Sequence, residues 1–366
     1  MMIDKLAERR RKKIINRLGN NIDYILLLPG KNLYYLTGID LNISLDRPFV
    51  YILDTSDAKS YIIAPKLHEA EIDKNMFSDC KFYTDLEDPF DIISSFFKAN
   101  SSIAVEKNIP LYIYDNISKK ANLETITYID SIISDERKIK DNIEISNILK
   151  AVYIVDETFE RLVKEPLKGK CEREIAALIE YIMKSLGAEN YSFETIVAVS
   201  ENAANPHHKP GERTFNEGDS LVIDFGAIYK NYCSDITRTI FCGEPPEKVK
   251  NIYNIVKEAN EKAIDAIKLN NEISIIDKAA RDIISNHGYG DYFIHRTGHG
   301  IGLDVHEAPV ISLNNNENVL EGMVFTVEPG IYLPEELGVR IEDDILITNK
   351  GANILTKSTK DLLIVS

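Results

Sequence analysis

The sequence predicts an α+β protein of two domains, a smaller α/β unit followed by a larger unit of helices and β-hairpins. Three observations lead there. The chain has 366 residues, which favours two domains at roughly 100–200 residues each. The first third alternates short strand-like and helical segments. Past about residue 134 the rhythm changes to long helices and then to hairpins. The domains are expected over 1–134 and 135–366.

Within the first domain, Asp23–Leu28, Phe49–Leu53, Lys59–Ile63 and Ser102–Val105 are apolar or β-branched runs of strand length. Pro65–Lys74 and Asp88–Ala99 have helical spacing, the second with Asp88 placed to cap and Pro89 at the first helical position. A further helix is expected after Pro110. The polar run Ser134–Lys140 opens a helical stretch through about Lys164. A helix from Cys171 to Leu186 is stopped by Gly187, and a strand covers Phe193–Val199. Ser220–Ile223 and Asp235–Phe241 read as β segments around a tight connection. Pro246–Lys268 and Ser274–His287 are helical, and Met323–Val327 and Val339–Ile347 are strands.

Composition narrows the partners. The formal net charge of −15 repels phosphate backbones, so no nucleic acid is expected. The run Arg9–Lys13 lies in an amphipathic helical stretch, Asp4–Leu18, and reads as its solvated face. Asp4 and Glu8 argue against a transit peptide. Four cysteines (Cys80, Cys171, Cys233, Cys242) form no Cys-x-x-Cys pair, as fits a reducing compartment. No apolar run approaches the ~20 residues of a membrane helix, and no signal peptide opens the chain. A cytoplasmic protein without membrane contact is expected.

Chemistry gathers in the second domain. Asp224 and Asp235 each sit in an apolar β segment, where a buried carboxylate is costly unless neutralised. A two-residue turn at Tyr229-Lys230 sets them directly opposite, and one at Lys230-Asn231 makes them diagonal neighbours. Both registers put them on one face, whereas a three-residue loop separates them. A cation between them resolves their repulsion. The competing reading is a hairpin whose Asp residues meet nearby Arg or Lys. Next, His295, His299 and His306 place three of the seven histidines in a twelve-residue span, around Gly298, Gly300 and Gly302. Glycines allow sharp bends and close approach, and neutral imidazole is the commonest metal ligand. Glu328 in Val-Glu-Pro-Gly and Glu342 in Arg340-Ile-Glu-Asp add two carboxylates. Singly, they read equally well as a turn residue and a partner of Arg340. Together, two Asp, one His and two Glu suit two divalent ions about 3.5–4 Å apart, sharing a water. Ligand softness suggests Mn²⁺, Co²⁺, Zn²⁺ or Fe²⁺ rather than Cu(I) or an iron–sulfur cluster, and of these Mn²⁺ or Co²⁺ is expected.

The motifs Asp224-Phe-Gly, Ser234-Asp-Ile-Thr-Arg-Thr, Gly298-His-Gly-Ile-Gly, Val327-Glu-Pro-Gly and Arg340-Ile-Glu-Asp resemble those of the pita-bread metallopeptidases: prolidase, aminopeptidase P and, more distantly, methionine aminopeptidase. The earlier third resembles the creatinase-like amino-terminal domain, most clearly at Asn32-Leu-Tyr-Tyr-Leu-Thr-Gly38. The resemblance implies a creatinase-like α/β domain ahead of a pita-bread catalytic domain, and a proline-directed peptidase. Asp224 would bind one ion, and Asp235 and Glu342 would bridge. His299 and Glu328 would hold the second ion, with Glu328 also the general base. His207, chosen over its neighbour His208, together with His295 and His306 would meet the substrate or its tetrahedral intermediate. Arg340 would support the ligands and Tyr332 would line the pocket. The substrate would be a small peptide with Pro second, and the assembly a homodimer. Prolidase activity on Xaa-Pro dipeptides is preferred to aminopeptidase P activity on longer Xaa-Pro peptides. Creatinase chemistry and a non-catalytic pita-bread binding module are set aside because all five ligand positions are present. The stretch Ile39–Arg47 falls where relatives carry a loop that can cap the site, in which Asp46 or Arg47 could meet a substrate terminus; it reads equally well as an ordinary surface loop.

Overall fold

The computed structural model of the chain describes residues 2–19, 21–41 and 46–365. It divides into two compact units, one ending at Arg137 and the next beginning at Lys138. The expected division at 134/135 falls inside the helix Asp130–Lys138.

The first unit is built on a six-stranded sheet. Its central strand, Tyr24–Leu27, is buried at all four positions. It pairs antiparallel with Val50–Asp54 and parallel with Ser102–Val105. Ser60–Pro65 and Asp79–Tyr83 extend one side, and Thr125–Tyr128 the other. The core joins Leu26, Val50, Ile52, Ile63 and Val105 to Ile113 and Ile117 of the helix Leu111–Ala121. Asp88 accepts a hydrogen bond from Phe90 N at 2.8 Å and starts the helix Pro89–Ser94. The segment Lys31–Thr37 is a helix ended by Gly38 at φ 77°, a left-handed cap that glycine adopts without strain. The helix expected over 65–74 is replaced by two 3₁₀ segments, Lys66–Glu71 and Lys74–Met76. Neither buries a residue, so no apolar face rewards a longer helix. Of the expected capping loop Ile39–Arg47, residues 42–45 lie outside the described residues. Arg47 makes a two-pronged ion pair with Asp85, both bonds 2.9 Å.

The helical stretch expected from Ser134 to Lys164 is two helices, Asp130–Lys138 and Asn142–Leu162. Between them Ile139 bridges to Met323, and Lys140 N donates to Gly322 O at 2.8 Å. Asp141 then restarts the helix by accepting from Ile143 N and Glu144 N, while Glu144 reaches back to Asp141 N.

Two sheets frame the second unit. A four-stranded sheet runs in the order Leu363–Val365, Ile236–Cys242, Ser220–Phe225, Ile196–Val199. The helices Asn142–Leu162 and Glu172–Ser185 cover it, packing Val155, Phe159, Ile175 and Ile179 on Val197, Leu221 and Ile223. A five-stranded sheet runs Glu307–Ile311, Gly298–Gly300, Val324–Val327, Asp343–Thr348, Gly351–Ile354. The helices Glu247–Asp265 and Ser274–Asn286 back it through Val256, Ala263, Ile276 and Ala280. A separate hairpin pairs Gly330–Leu333 with Leu337–Arg340. The single strand expected over 339–347 is thus two strands in different sheets. Ile341 and Glu342 form the step between them, where Glu342 N donates to Thr237 O at 3.1 Å. No described helix is long and apolar enough to cross a membrane.

Asp141→Ala removes the cap that restarts the helix at Asn142. It should lower stability by about 1 kcal/mol, a Tm drop of roughly 2–4 °C by calorimetry.

Candidate active site

The hairpin register comes from its turn. Lys230 and Asn231 both have positive φ, 47° and 67°, the backbone of a two-residue type I′ turn. Tyr229 therefore faces Tyr232, Ile228 faces Cys233, and farther along Asp224 faces Thr237. Of the two registers open to the sequence, the structure has the diagonal one. Asp224 and Asp235 share a face, and both are buried. Opposite this bend sits Gly226, where a Cβ would fall 2.1 Å from Ser234 O, so a side chain is sterically barred. Asp235 N leaves the ladder and donates instead to Asp344 Oδ2 at 3.0 Å.

His299 lies on the short strand Gly298–Gly300, where the register with Glu307–Ile311 shifts between His299 and Gly300. Such a bulge re-aims a side chain. Its ring is buried, and Nδ1 lies 3.2 Å from Gly300 O, which places the ring proton there and leaves Nε2 a lone pair. Nε2 faces Glu328 Oε1 at 3.4 Å and Asp235 Oδ2 at 3.7 Å. Burial, then the neighbouring His306, takes the imidazole pKa down to about 3, so the ring is neutral. Whenever those carboxyls are ionised, an unprotonated nitrogen among their oxygens has no attractive partner there.

The carboxylates show the same deficit. Asp224 Oδ1, Asp235 Oδ1 and Glu342 Oε1 are buried with no hydrogen-bond partner. Burial first, then Glu342 and Asp224, raises the Asp235 pKa well above the carboxylate range. Burial, Glu328 and Asp224 do the same to Glu342. Burial pushes Glu328 up to about 7, against the pull of Arg340. The competing reading of the hairpin holds for half of it. Asp224 Oδ2 accepts from Arg340 NH2 at 2.6 Å, while Asp235, Glu328 and Glu342 have no Arg or Lys ion-pair partner among the described residues. Ligand atoms of Asp235, His299 and Glu342 all lie within 4.8 Å of one another. Oxygen-rich donors with one neutral imidazole, and buried oxygens left unsatisfied, fit divalent cations.

Behind these side chains runs a hydrogen-bond relay. Arg340 NH1 donates to Tyr332 OH at 2.8 Å, and Arg340 Nε donates to Thr237 Oγ1 at 3.1 Å. Thr237 Oγ1 in turn donates to Glu342 Oε2 at 2.6 Å. One guanidinium thus orients Asp224 directly and Glu342 through Thr237. Tyr332, expected to line the pocket, is 3% exposed and lies behind it. Its hydroxyl accepts from Arg340 and so offers its own proton to His295 Nε2, 2.8 Å away. His295 Nδ1 then donates to Arg296 O at 2.7 Å. Both nitrogens of His295 are taken, and burial brings its pKa to about 4.

A cavity of about 800 Å³ opens over these groups. Asp224, Asp235, His299, Glu328, Arg340 and Glu342 line its floor; His207, His295 and His306 line its walls, with Arg296, Phe193, Ile196 and Ile294. The His306 ring lies tilted against that of His299, centroids 4.2 Å apart. His208 also borders the cavity, but its Nε2 is engaged by Glu172 Oε2 at 2.8 Å. Thr237, Asp344 and Glu172 were not singled out from sequence. Thr237 had a signal, because a residue two positions after Asp235 on a strand shares its face. For Glu172 and Asp344 there was none.

A carboxylate-rich floor with one neutral imidazole, set between two helix-backed sheets, defines a metal-using hydrolase. The chain belongs to metallopeptidase family M24, whose profile matches residues 146–349, and residues 10–139 match the creatinase/prolidase N-terminal domain. It is 40% identical over 359 residues to a Xaa-Pro dipeptidase of Pyrococcus furiosus, covering 98% of this chain and 100% of the relative. Among solved structures, a prolidase from Thermococcus sibiricus superposes with a TM-score of 0.92 at 42% identity, covering 98% of this chain and 99% of that one. An X-Pro aminopeptidase from Thermotoga maritima gives 0.84 at 34% identity, covering 96% and 99%.

Two outcomes are expected. A carboxyl whose folded pKa is raised keeps a proton that the unfolded chain releases, so stability falls as pH rises between the two values. Chelated protein should therefore lose Tm as pH climbs from the ordinary 4.5 of a glutamate to the value of about 7 at Glu328, with Asp235 and Glu342 acting in the same direction. Adding a divalent ion should reverse that slope, and melting curves with EDTA and with Mn²⁺ check it. Separately, Thr237→Val keeps the shape and removes the relay hydroxyl. Divalent-ion affinity should fall about 10–100-fold by calorimetric titration, the usual loss when a ligand's orienting partner goes.

Proposed function

We propose that the protein hydrolyses the bond of Xaa-Pro dipeptides with two divalent ions held by Asp224, Asp235, His299, Glu328 and Glu342. The ions proposed are Mn²⁺ or Co²⁺, with Zn²⁺ or Fe²⁺ as alternatives, on the family resemblance; the oxygen-rich donor set with one imidazole accepts all four. One observation carries the reading. Asp224, Asp235 and Glu342 each keep a buried oxygen without a protein partner, beside the lone pair of His299. Asp224 would hold one ion, His299 and Glu328 the other, with Asp235 and Glu342 between. Bound there, two such ions lower the pKa of a shared water toward 7 and polarise the scissile carbonyl.

The chain's own groups do the rest. Glu328, on the cavity floor, takes a proton from the attacking water and delivers it to the departing nitrogen. The water oxygen bonds to the carbonyl carbon, the C–N bond breaks, and proline leaves as a neutral secondary amine. His207 and His306 offer ring N–H groups to the carbonyl oxygen as charge develops on it. His295 has no nitrogen to spare, so its part is to hold Tyr332 and, through it, Arg340. Proline's nitrogen carries no hydrogen and its ring fixes φ. A substrate held by its carbonyl and by ring contacts suits a site with Phe193, Ile196 and Ile294 on its walls. The similarity to proteins named Xaa-Pro dipeptidase and prolidase supports the proline-directed branch and the dipeptidase within it. We further propose a cytoplasmic homodimer, on four cysteines that form no disulfide and on the family resemblance.

Hydrolysis of a Xaa-Pro dipeptide should exceed that of the matching Xaa-Pro-Xaa tripeptide, and exhaustive chelation should abolish both. A faster tripeptide would make the protein an aminopeptidase P. Asp235→Asn and Glu342→Gln should lose metal and activity together, by elemental analysis and amino-acid release. Glu328→Gln should lose activity even where some metal stays. His207→Ala should reduce kcat/KM about 10²-fold or more with metal content unchanged.

A further inference from the structure

Glu172 is fully buried at 0% exposure, and the mechanism above does not use it. It opens the helix Glu172–Ser185 and points its carboxylate at the segment 199–211. Four donors converge on it. Oε1 accepts from Val199 N and Asn202 Nδ2, both at 2.8 Å. Oε2 accepts from His208 Nε2 at 2.8 Å and from Gly211 N at 2.9 Å. Backbone bonds tie the same helix start to the far end of the segment, Glu172 N to Arg213 O at 3.0 Å and Arg173 N to Gly211 O at 3.1 Å. Between these fixed points the chain runs through Asn205, Pro206, His207, His208, Lys209 and Pro210, all at the cavity. His207 is exposed there, its backbone N held by Asn205 Oδ1 at 3.1 Å.

We propose that Glu172 is a positioning residue for the reaction: its carboxylate, with His208 as one of its four donors, fixes the loop that carries His207 into the cavity. The proposal rests on the role given to His207 in the dipeptidase reading. It separates the adjacent histidines by function. His208 faces the anchor, and His207 faces the substrate. The anchor needs a carboxylate. A glutamine at this place has one accepting oxygen and one NH₂. Asn202 can turn its amide and His208 can shift its ring proton, but Val199 N–H and Gly211 N–H cannot reverse. Whichever way the amide lies, its NH₂ meets one of those two backbone donors head on. A buried donor without an acceptor is expelled or moves, and here the movable part is the loop.

The experiment uses the metal-loaded protein with a Xaa-Pro dipeptide. E172Q should lower kcat/KM at least about tenfold and leave the metal content unchanged. Hydrogen exchange should speed up over 199–211 and stay as it was over 220–242. Because the effect passes through His207, adding E172Q to H207A should cost less than about threefold more. H208A should lose several-fold, and H208Q, whose amide can still donate to Glu172, should regain most of that. Independent, multiplying losses in the double variant overturn the proposal, as do loss of metal in E172Q, unchanged exchange over 199–211, and no difference between H208Q and H208A. Wild-type turnover by H207A alone, whatever the exchange shows, would instead remove the role assigned to His207.

Discussion

Four carboxylates crowd around one imidazole, and the second unit is arranged to tolerate that. Charges of one sign at such range, away from water, repel strongly, and burying each of them is separately unfavourable. The protein supplies one guanidinium, Arg340, bonded to Asp224, and a threonine hydroxyl for Glu342. It leaves an oxygen on each of Asp224, Asp235 and Glu342 unsatisfied. That residual deficit is what divalent ions would relieve. The same atoms that destabilise the fold by themselves are therefore the ones that would give it affinity for the ions.

Holding such groups in place requires a stiff support. Each ligand sits in or beside a strand, and each sheet is backed by two helices. Asp224 is in Ser220–Phe225, Asp235 adjoins Ile236–Cys242, Glu328 follows Val324–Val327, and His299 is in Gly298–Gly300. Glu342 occupies the step between two sheets, fixed by its own N–H to Thr237 O. Arg238, one residue farther along that strand and fully buried, bonds Glu342 O and pairs with Asp343 Oδ1 at 2.8 Å. Burial acts on Asp343 too, yet Arg238 and Lys360 hold its carboxyl below the usual range. Adjacent residues Glu342 and Asp343 thus have opposite electrostatics. One is paired with cations of the protein and braces the C-terminal segment. The other is left short of positive charge and faces the cavity.

Much of this was legible in the sequence because the chemistry is written in residue types that strands dislike. Asp224 and Asp235 in apolar runs, and His299 between glycines, announce themselves. The register did not. Whether the turn falls at Tyr229-Lys230 or at Lys230-Asn231 depends on which pair accepts positive φ, and lysine gives no clear signal of it. The apolar pattern of Val339–Ile347 reads as one strand because both sheets need apolar residues on either side of the step. The break at 139–141 was hidden for a similar reason. Ile139 and Lys140 are good helix residues, and only a distant partner, the segment at Gly322 and Met323, draws them out. Tyr332 and His295 look like site residues and are close to the site. Which of their atoms are free is a question of hydrogen-bond direction, and spacing does not encode that.

The floor and the wall of the cavity are held by different means. The floor residues lie in or beside the strands of helix-backed sheets. His207 comes from a loop that leaves the strand Ile196–Val199 and returns to Ser220–Phe225. Loops of this kind open locally more easily than strands, since fewer backbone bonds restrain them. A donor that must meet a developing oxyanion tolerates displacement poorly. A buried carboxylate taking three hydrogen bonds from that loop, and a fourth from Val199 at the end of the strand before it, is a stiff substitute for a missing ladder. It lets a side chain on irregular backbone keep a position that strands otherwise guarantee. The carboxylates of the floor and the histidine of the wall are thus held in place by different parts of the second unit.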